Sequence, residues 1–361
     1  MRILHVHSGN RYGGVESALR VMARPHGSVE SVFALSFEGR LSEEIRAAGA
    51  EVSILGDVRA SRPFSVLRAR ARLLALFRQE HFDATLAHSA WALSLLANCS
   101  QPPLVFYQHD IMTGRQWTER LAGHVHPDLI VANSAFTAQT TSKVFPGARP
   151  EVVYPPTDLP VRILSQDERA SLRARHSVPH GTVVILIAAR FEKWKGHALL
   201  LESLALLRES PQWRVWIAGE PQNAREHSVR DTLKPADDRV QFLGHVSDVA
   251  AIMQAADIYC QPNTGPEPFG LSFVEALACG LPVVATSLGG AREILEPAWG
   301  LLEWPKAAEI AAMLQRLLDD PDLRRRLGEL GPARALDLCN PETQISALGH
   351  SIEPLLNRKA A

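Results

Sequence analysis

Val183-Val-Ile-Leu-Ile-Ala-Ala-Arg190-Phe-Glu-Lys-Trp-Lys195-Gly196 opens the second half of the chain as a run of seven apolar residues that stops at a polar, glycine-ending turn. Such a run has the length of a strand, and the segment after it has helical spacing. The same strand-then-helix pattern recurs on both sides. In the first half strands are read at Arg2 to His7, Ser31 to Ser36, Val52 to Leu55, Ala84 to Ala87, Leu104 to Gln108 and Leu129 to Ala132. In the second half they fall at Val183 to Ala188, Arg214 to Ala218, Val240 to Leu243, Ile258 to Gln261 and Pro282 to Thr286. Alternation of this kind is the pattern of parallel βαβ units, so the fold class is α/β with two Rossmann-like, doubly wound domains.

The series breaks at Val153-Tyr-Pro-Pro-Thr-Asp-Leu-Pro160, where three prolines forbid helix and disfavour a central strand. The expected domains are residues 1–158 and 159–340, followed by a C-terminal helical segment, 341–361, that packs back on the first domain. Beyond Pro305, helices are read at Ala307 to Leu318, Pro321 to Leu330 and Pro341 to Asn357. Two such domains joined by a short linker place the strand ends at a central cleft, so site residues are sought just after strands.

Composition narrows the function classes. At 361 residues the chain exceeds the roughly 250 to 300 at which one core stops growing. Its 46% hydrophobic and 21% charged residues are ordinary globular usage. Lys and Arg total 38 against 39 Asp and Glu, a net charge of -1, so no global field gathers nucleic acid. The four cysteines show no CxxC spacing and read as reduced thiols. No apolar run approaches the about 20 residues of a membrane span, and the N-terminus lacks a signal-peptide core. The expected location is cytoplasmic. Arg59 to Gln79 carries six arginines and no acid beside an apolar arc of Val66, Leu67, Leu73, Leu74 and Phe77. That is the pattern of a helix packed on a sheet, and also of one lying peripherally on the inner membrane face.

Four stretches carry chemistry. Ser8-Gly-Asn-Arg-Tyr-Gly13-Gly14-Val-Glu16 leads from the first strand into a helix read from near Ser17. Its glycines let an anion approach backbone amides, while the lack of GxGxxG argues against a dinucleotide. Arg190 and Lys195 leave a strand end five residues apart, a guanidinium and an ammonium suited to the two ends of a diphosphate. Glu275 sits a turn into a helix among Leu271, Val274, Ala276 and Leu277, where its carboxylate needs a partner that two adjacent sugar hydroxyls would supply. Gly289-Gly290 opens another helix and can offer amides to phosphate. His5 with His7, and His124 with His126, lack a convincing further ligand, so no metal site is expected.

Glu267-Pro-Phe-Gly-Leu-Ser-Phe-Val-Glu275-Ala-Leu-Ala-Cys-Gly-Leu-Pro-Val-Val-Ala-Thr286, followed by Gly289-Gly290 and preceded by Arg190, Lys195 and the N-terminal glycine loop, resembles the family-4 glycosyltransferases of GT-B fold, whose hallmark is two glutamates separated by seven residues. The resemblance implies a retaining hexosyltransferase that moves a sugar from a UDP- or GDP-sugar to a hydroxyl acceptor, with no cofactor beyond the donor and no metal. It implies that Arg190 and Lys195 bind the diphosphate, Glu275 the ribose and Glu267 the transferred sugar. The amides of Phe269, Gly270 and Leu271 would lie near that sugar or the phosphate. Gly14 would approach the diphosphate, and His109, after the strand ending at Gln108, would lie near the sugar. Ser134 is a helix cap and a weaker site candidate. The linker has no Asn-Gly turn, and Ala291 stands where a proline often follows the glycines. Two other classes stay open: a GT-B epimerase or phosphorylase, and an inactive nucleotide-sugar-binding subunit. The complete glutamate pair weighs against the first and the retained charges against the second.

Overall fold

The computed structural model describes residues 1–9, 12–99, 102–160, 162–209, 212–234, 238–295, 301–302 and 304–360, so Asn10 and Arg11 of the first glycine loop lie outside the described residues. The chain forms two compact units: Met1–Asp158 with Cys339–Ala361, and Leu159–Leu338. The second unit thus ends two residues before the boundary read from Pro341, because the Cys339 carbonyl accepts the Thr157 N–H (3.1 Å) and belongs to the first.

In the first unit, β1 (Arg2–His7), β2 (Glu30–Leu35), β3 (Glu51–Ile54), β4 (Ala84–Ala87), β5 (Leu104–Gln108), β6 (Leu129–Ala132) and β7 (Glu151–Val152) form one parallel sheet ordered β3-β2-β1-β4-β5-β6-β7. Alternate residues face opposite cores. Leu4 and Val6 pack with Ala69, Leu73 and Leu76 of the helix Pro63–Gln79. Ile3, Phe33, Leu86 and Tyr107 pack on the other face with Ile345, Leu348 and Ile352 of the C-terminal helix Pro341–Ala360. The basic helix therefore packs on the sheet through Ala69, Leu73 and Leu76, and leaves Leu67 of the arc 62% exposed and Phe64, which precedes the arc, 81% exposed.

In the second unit, β8 (Val183–Ala188), β9 (Trp213–Ala218), β10 (Val240–Gly244), β11 (Ile258–Gln261), β12 (Val283–Thr286) and β13 (Leu301–Leu302) form a parallel sheet ordered β10-β9-β8-β11-β12-β13. The two-residue β7 and β13 escape sequence reading because no periodicity fits so short a run. The helix expected to stop at Leu330 runs from Pro321 to Cys339, straight through Pro332. Tertiary packing overrides the breaker: Gly328 and Gly331 let this helix lie against the Gly280 and Leu277 carbonyls, where an added Cβ would sit 2.2 and 2.5 Å away. Each strand order reverses once, between β1 and β4 and between β8 and β11, and crevices for ligands open at such switch points.

Candidate active site

The second unit gathers its charges just beyond β8 and β11. Arg190 leaves β8 with Nη2 3.1 Å from Glu192 and Nη1 3.9 Å from the buried Glu226. Glu226 is held in turn by the Gln222 N–H and Asn223 Nδ2 (3.0 and 2.8 Å). A short turn, Lys193–Lys195, ends at Gly196 with φ +80°, where a Cβ would lie 1.9 Å from the Pro262 carbonyl, so only glycine lets the Lys195 loop lie against the end of β11. Lys195 Nζ consequently reaches Glu267 Oε2 at 2.7 Å and also lies 4.1 Å from the Trp194 ring centre.

Glu267 is 6% exposed and asymmetrically bound. Oε2 accepts from Lys195 Nζ, Asn263 Nδ2 (3.0 Å) and Gln261 Nε2 (3.4 Å), whereas no described residue donates to Oε1. Gln261 is itself fixed through Oε1 by the Tyr259 and Ser272 hydroxyls (2.8 and 3.1 Å). One oxygen is thus anchored by three donors and the other by none of the described residues.

The backbone around Glu267 corrects the expectation for Gly290. The Gly290 N–H donates to the Glu267 carbonyl (2.8 Å), the Glu267 N–H donates to the Leu288 carbonyl (3.0 Å), and the helix that follows is the single turn Ala291–Ile294. Gly289, at φ +81°, would place a Cβ 2.2 Å from the Glu267 carbonyl oxygen, and Gly290 one 2.6 Å from the Pro268 oxygen. These glycines are spacers that let the loop close on Glu267, and the Gly290 amide is spent there rather than offered to phosphate. Gly270, by contrast, caps the helix Leu271–Ala278, whose first amides have no intrahelical acceptor. Phe269 beside it is buried, and Glu275 lies one turn in, partly exposed. Burial and then the charges of Glu275 and Asp248 push the Cys279 thiol up to about 12, which makes it inert.

The first unit gathers imidazoles instead. The helix expected near Ser17 begins at Gly14 with Gly13 as N-cap, because the Ser17 N–H already bonds the Gly13 carbonyl (3.0 Å). Glu16 in its first turn pairs with His7 Nε2 at 2.9 Å, both side chains being buried. His109 follows β5 and is 6% exposed, with its Nε2 2.9 Å from His88 Nδ1 and its carbonyl bonded by Asn133 Nδ2 (3.0 Å). Burial, reinforced by His7, pushes His109 down to about 3. Ser134 caps the helix Ala135–Thr140 by accepting the Thr137 N–H (2.9 Å). Among the described residues no group of three or more His, Cys, Asp or Glu side chains could hold a metal ion.

Two family models divide the chain between them: "Glycosyltransferase Family 4" matches residues 12–160 and "Glycosyl transferases group 1" matches residues 168–334. The chain belongs to the family-4 glycosyltransferases. HepE of Anabaena, solved with UDP-glucose, is 25% identical with a TM-score of 0.85, over 98% of this chain and 100% of that one. The glycosyltransferase neighbours also share its GT-B class of two Rossmann-like parallel-sheet domains. The D-inositol 3-phosphate glycosyltransferase of Pseudarthrobacter chlorophenolicus is 38% identical over 176 residues, 46% of this chain and 42% of that protein. A GDP-mannose-dependent mannosyltransferase of Corynebacterium glutamicum, acting on a monoacylated phosphatidylinositol monomannoside, is 27% identical over 219 residues, 57% of each chain. The match to each of these curated relatives spans less than three fifths of the relative's length.

Within this family-4 chain, the second unit brings Lys195 and Glu267 into direct contact and sets Arg190 beside Glu192 and Glu226. Sequence reading missed Gln261, Asn263, Glu226 and His88. The first two stand in Cys260-Gln-Pro-Asn263 at the end of β11, a position that could have raised them; His88 ends β4 in the same way.

Proposed function

We propose that the chain is a retaining glycosyltransferase that moves a hexosyl group from a UDP- or GDP-sugar to a hydroxyl acceptor. The observation that carries this reading is the Lys195–Glu267 pair, a cation and an acid joined at a switch point with Glu267 Oε1 left for a ligand. When the donor arrives, Lys195 and Arg190 meet the diphosphate, and Glu275 accepts the ribose hydroxyls. Glu267 Oε1 accepts from the transferred sugar, and within the first unit His109 is the side chain offered to a sugar hydroxyl. The bond between the anomeric carbon and the diphosphate oxygen breaks, the bond from the acceptor oxygen to that carbon forms, and the acceptor proton passes to the departing diphosphate. The two cations and the first amides of the helix Leu271–Ala278 stabilise the charge that develops there, so the reading requires no metal. UDP-glucose in the Anabaena complex and GDP-mannose in the name of the Corynebacterium relative bracket the donors. The acceptors named for the curated relatives make an inositol-type polyol the first to try. Phe64 and Leu67, exposed beside Arg62 and Arg68, support peripheral contact with anionic lipid.

A thermal-shift comparison of UDP with GDP, followed by donor hydrolysis and transfer assays with and without EDTA, tests the reading. Stabilisation by one nucleotide and EDTA-resistant transfer are expected. Failure of every diphosphate to bind would reject it.

A further inference from the structure

The switch point of the first unit carries a relay as well as a single histidine. β1, β4 and β5 are neighbours, and their register places His5, His88 and His109 in series on one face of the sheet. His5 Nδ1 lies 2.9 Å from His88 Nε2, and His88 Nδ1 lies 2.9 Å from His109 Nε2. The ring planes are nearly parallel, 14° and 18° apart, and the centroids are 5.2 Å apart at both steps, the spacing of rings joined edge to edge. Burial holds His5 and His109 down at about 3 and His88 well below the usual histidine range, so all three rings are neutral at pH 7. Glu16 is bonded to His7, beside the relay.

Each N···N bond between neutral imidazoles contains one N–H, so the protons sit either all on Nδ1 or all on Nε2. The inner end decides between the two. His5 Nε2 is buried with no partner among the described residues, and the ring stacks on Phe33, which offers no acceptor in its plane. A buried N–H without an acceptor is the rarer and costlier defect than a buried lone pair, so the Nδ1–H arrangement is favoured. We propose that His88 and His5 are positioning residues that hold His109 as its Nδ1–H tautomer, so that His109 donates a hydrogen bond to a substrate oxygen instead of taking a proton from it. Only the substrate half of this statement rests on the glycosyl-transfer reading.

The test uses the full chain labelled with ¹⁵N-histidine, with resonances assigned through His109→Gln and His5→Gln. In the wild type all three rings should carry the proton on Nδ1. A proton on His109 Nε2, or a doubly protonated ring at pH 7, would overturn the proposal whether or not any variant folds. In His88→Leu, His109 should gain the Nε2–H form and kcat should fall about tenfold, while affinity for UDP or GDP changes less than about twofold. An unchanged tautomer with unchanged kcat in a folded His88→Leu would also overturn it. Should the wild type transfer no sugar, the glycosyl-transfer reading fails, and the ring spectra still decide the tautomer.

Discussion

At the switch point of the first unit four histidines and one acid are gathered out of water, and three of the imidazoles are kept neutral chiefly by burial, with neighbouring imidazoles reinforcing it at His88 and His109. At that of the second unit the groups are formal charges: Lys195 on Glu267 and Arg190 beside Glu192 and Glu226, with the amide side chains of Gln261 and Asn263 donating to the same Glu267 oxygen as Lys195. Both units use the same strand reversal, so the scaffold does not dictate the chemistry. What differs is the residue that each strand releases at its end. A neutral cluster can supply hydrogen bonds with a fixed direction, whereas a charged one can answer a charge that grows during a reaction.

Acid should separate the two units most strongly. His5 and His109 have folded values near 3, below the 6.5 of the unfolded chain. Between those values the unfolded state binds more protons, so stability is full above pH 6.5 and is lost as pH falls. At about 1.4 kcal/mol per pH unit for each histidine, the pair removes roughly 5 kcal/mol from the first unit between pH 6.5 and 4.5. Hydrogen exchange resolved by strand should therefore show β1, β4 and β5 losing protection before β8 and β11. Equal loss in both sheets would break the comparison.

Next in size is Glu267→Gln, which keeps the shape of the anchor and removes its charge. We expect turnover to fall about a thousandfold, or roughly 4 kcal/mol of transition-state stabilisation, with an unchanged circular dichroism spectrum. Turnover within tenfold of the parent would show that the charge does not act on the reacting sugar.

A smaller effect separates backbone from side chain. Gly289→Ala adds a methyl at φ +81° against the Glu267 carbonyl, and Gly181→Ala adds one at φ +78° into open space. The first should cost about 3 kcal/mol of second-unit stability and the second about 1 kcal/mol, the conformational penalty alone. Equal costs in urea unfolding would mean that the contact with Glu267 is unimportant. Smallest of all, Glu275→Ala should weaken UDP or GDP binding by about 2 kcal/mol in calorimetry, the loss of one hydrogen bond to a charged group. Undiminished affinity in the folded variant would remove Glu275 from the ribose.

The sequence was most legible where function follows from residues close together in the chain. β8 and the Arg190 to Lys195 turn, β11, and the Glu267 to Glu275 stretch lie where the alternation of apolar runs places them, and the family resemblance rests on the same residues. The relay was illegible for the opposite reason. His5 and His88 are 83 positions apart, His88 and His109 are 21 apart, and only the register of three parallel strands puts them in line. Gln261 and Asn263 read as ordinary strand-end polar residues, since an amide declares a role only when its orientation is known. Gly290 misled because a glycine whose amide serves phosphate and one whose amide serves a carbonyl look alike in sequence.

The first unit is assembled from two lengths of chain, Met1–Asp158 and Cys339–Ala361, whereas the second is one unbroken length. During synthesis at about 5 to 20 residues per second, the 180 residues from 159 to 338 separate the two pieces by roughly 10 to 40 s. The second unit can close as soon as its last helix emerges. The first must wait with the sheet face that will receive Ile345, Leu348 and Ile352 still uncovered, although every strand of its sheet was made long before. In the growing polypeptide the order of completion is therefore the reverse of the order of translation, and the interval before the last helix docks is when this protein most needs shielding from aggregation.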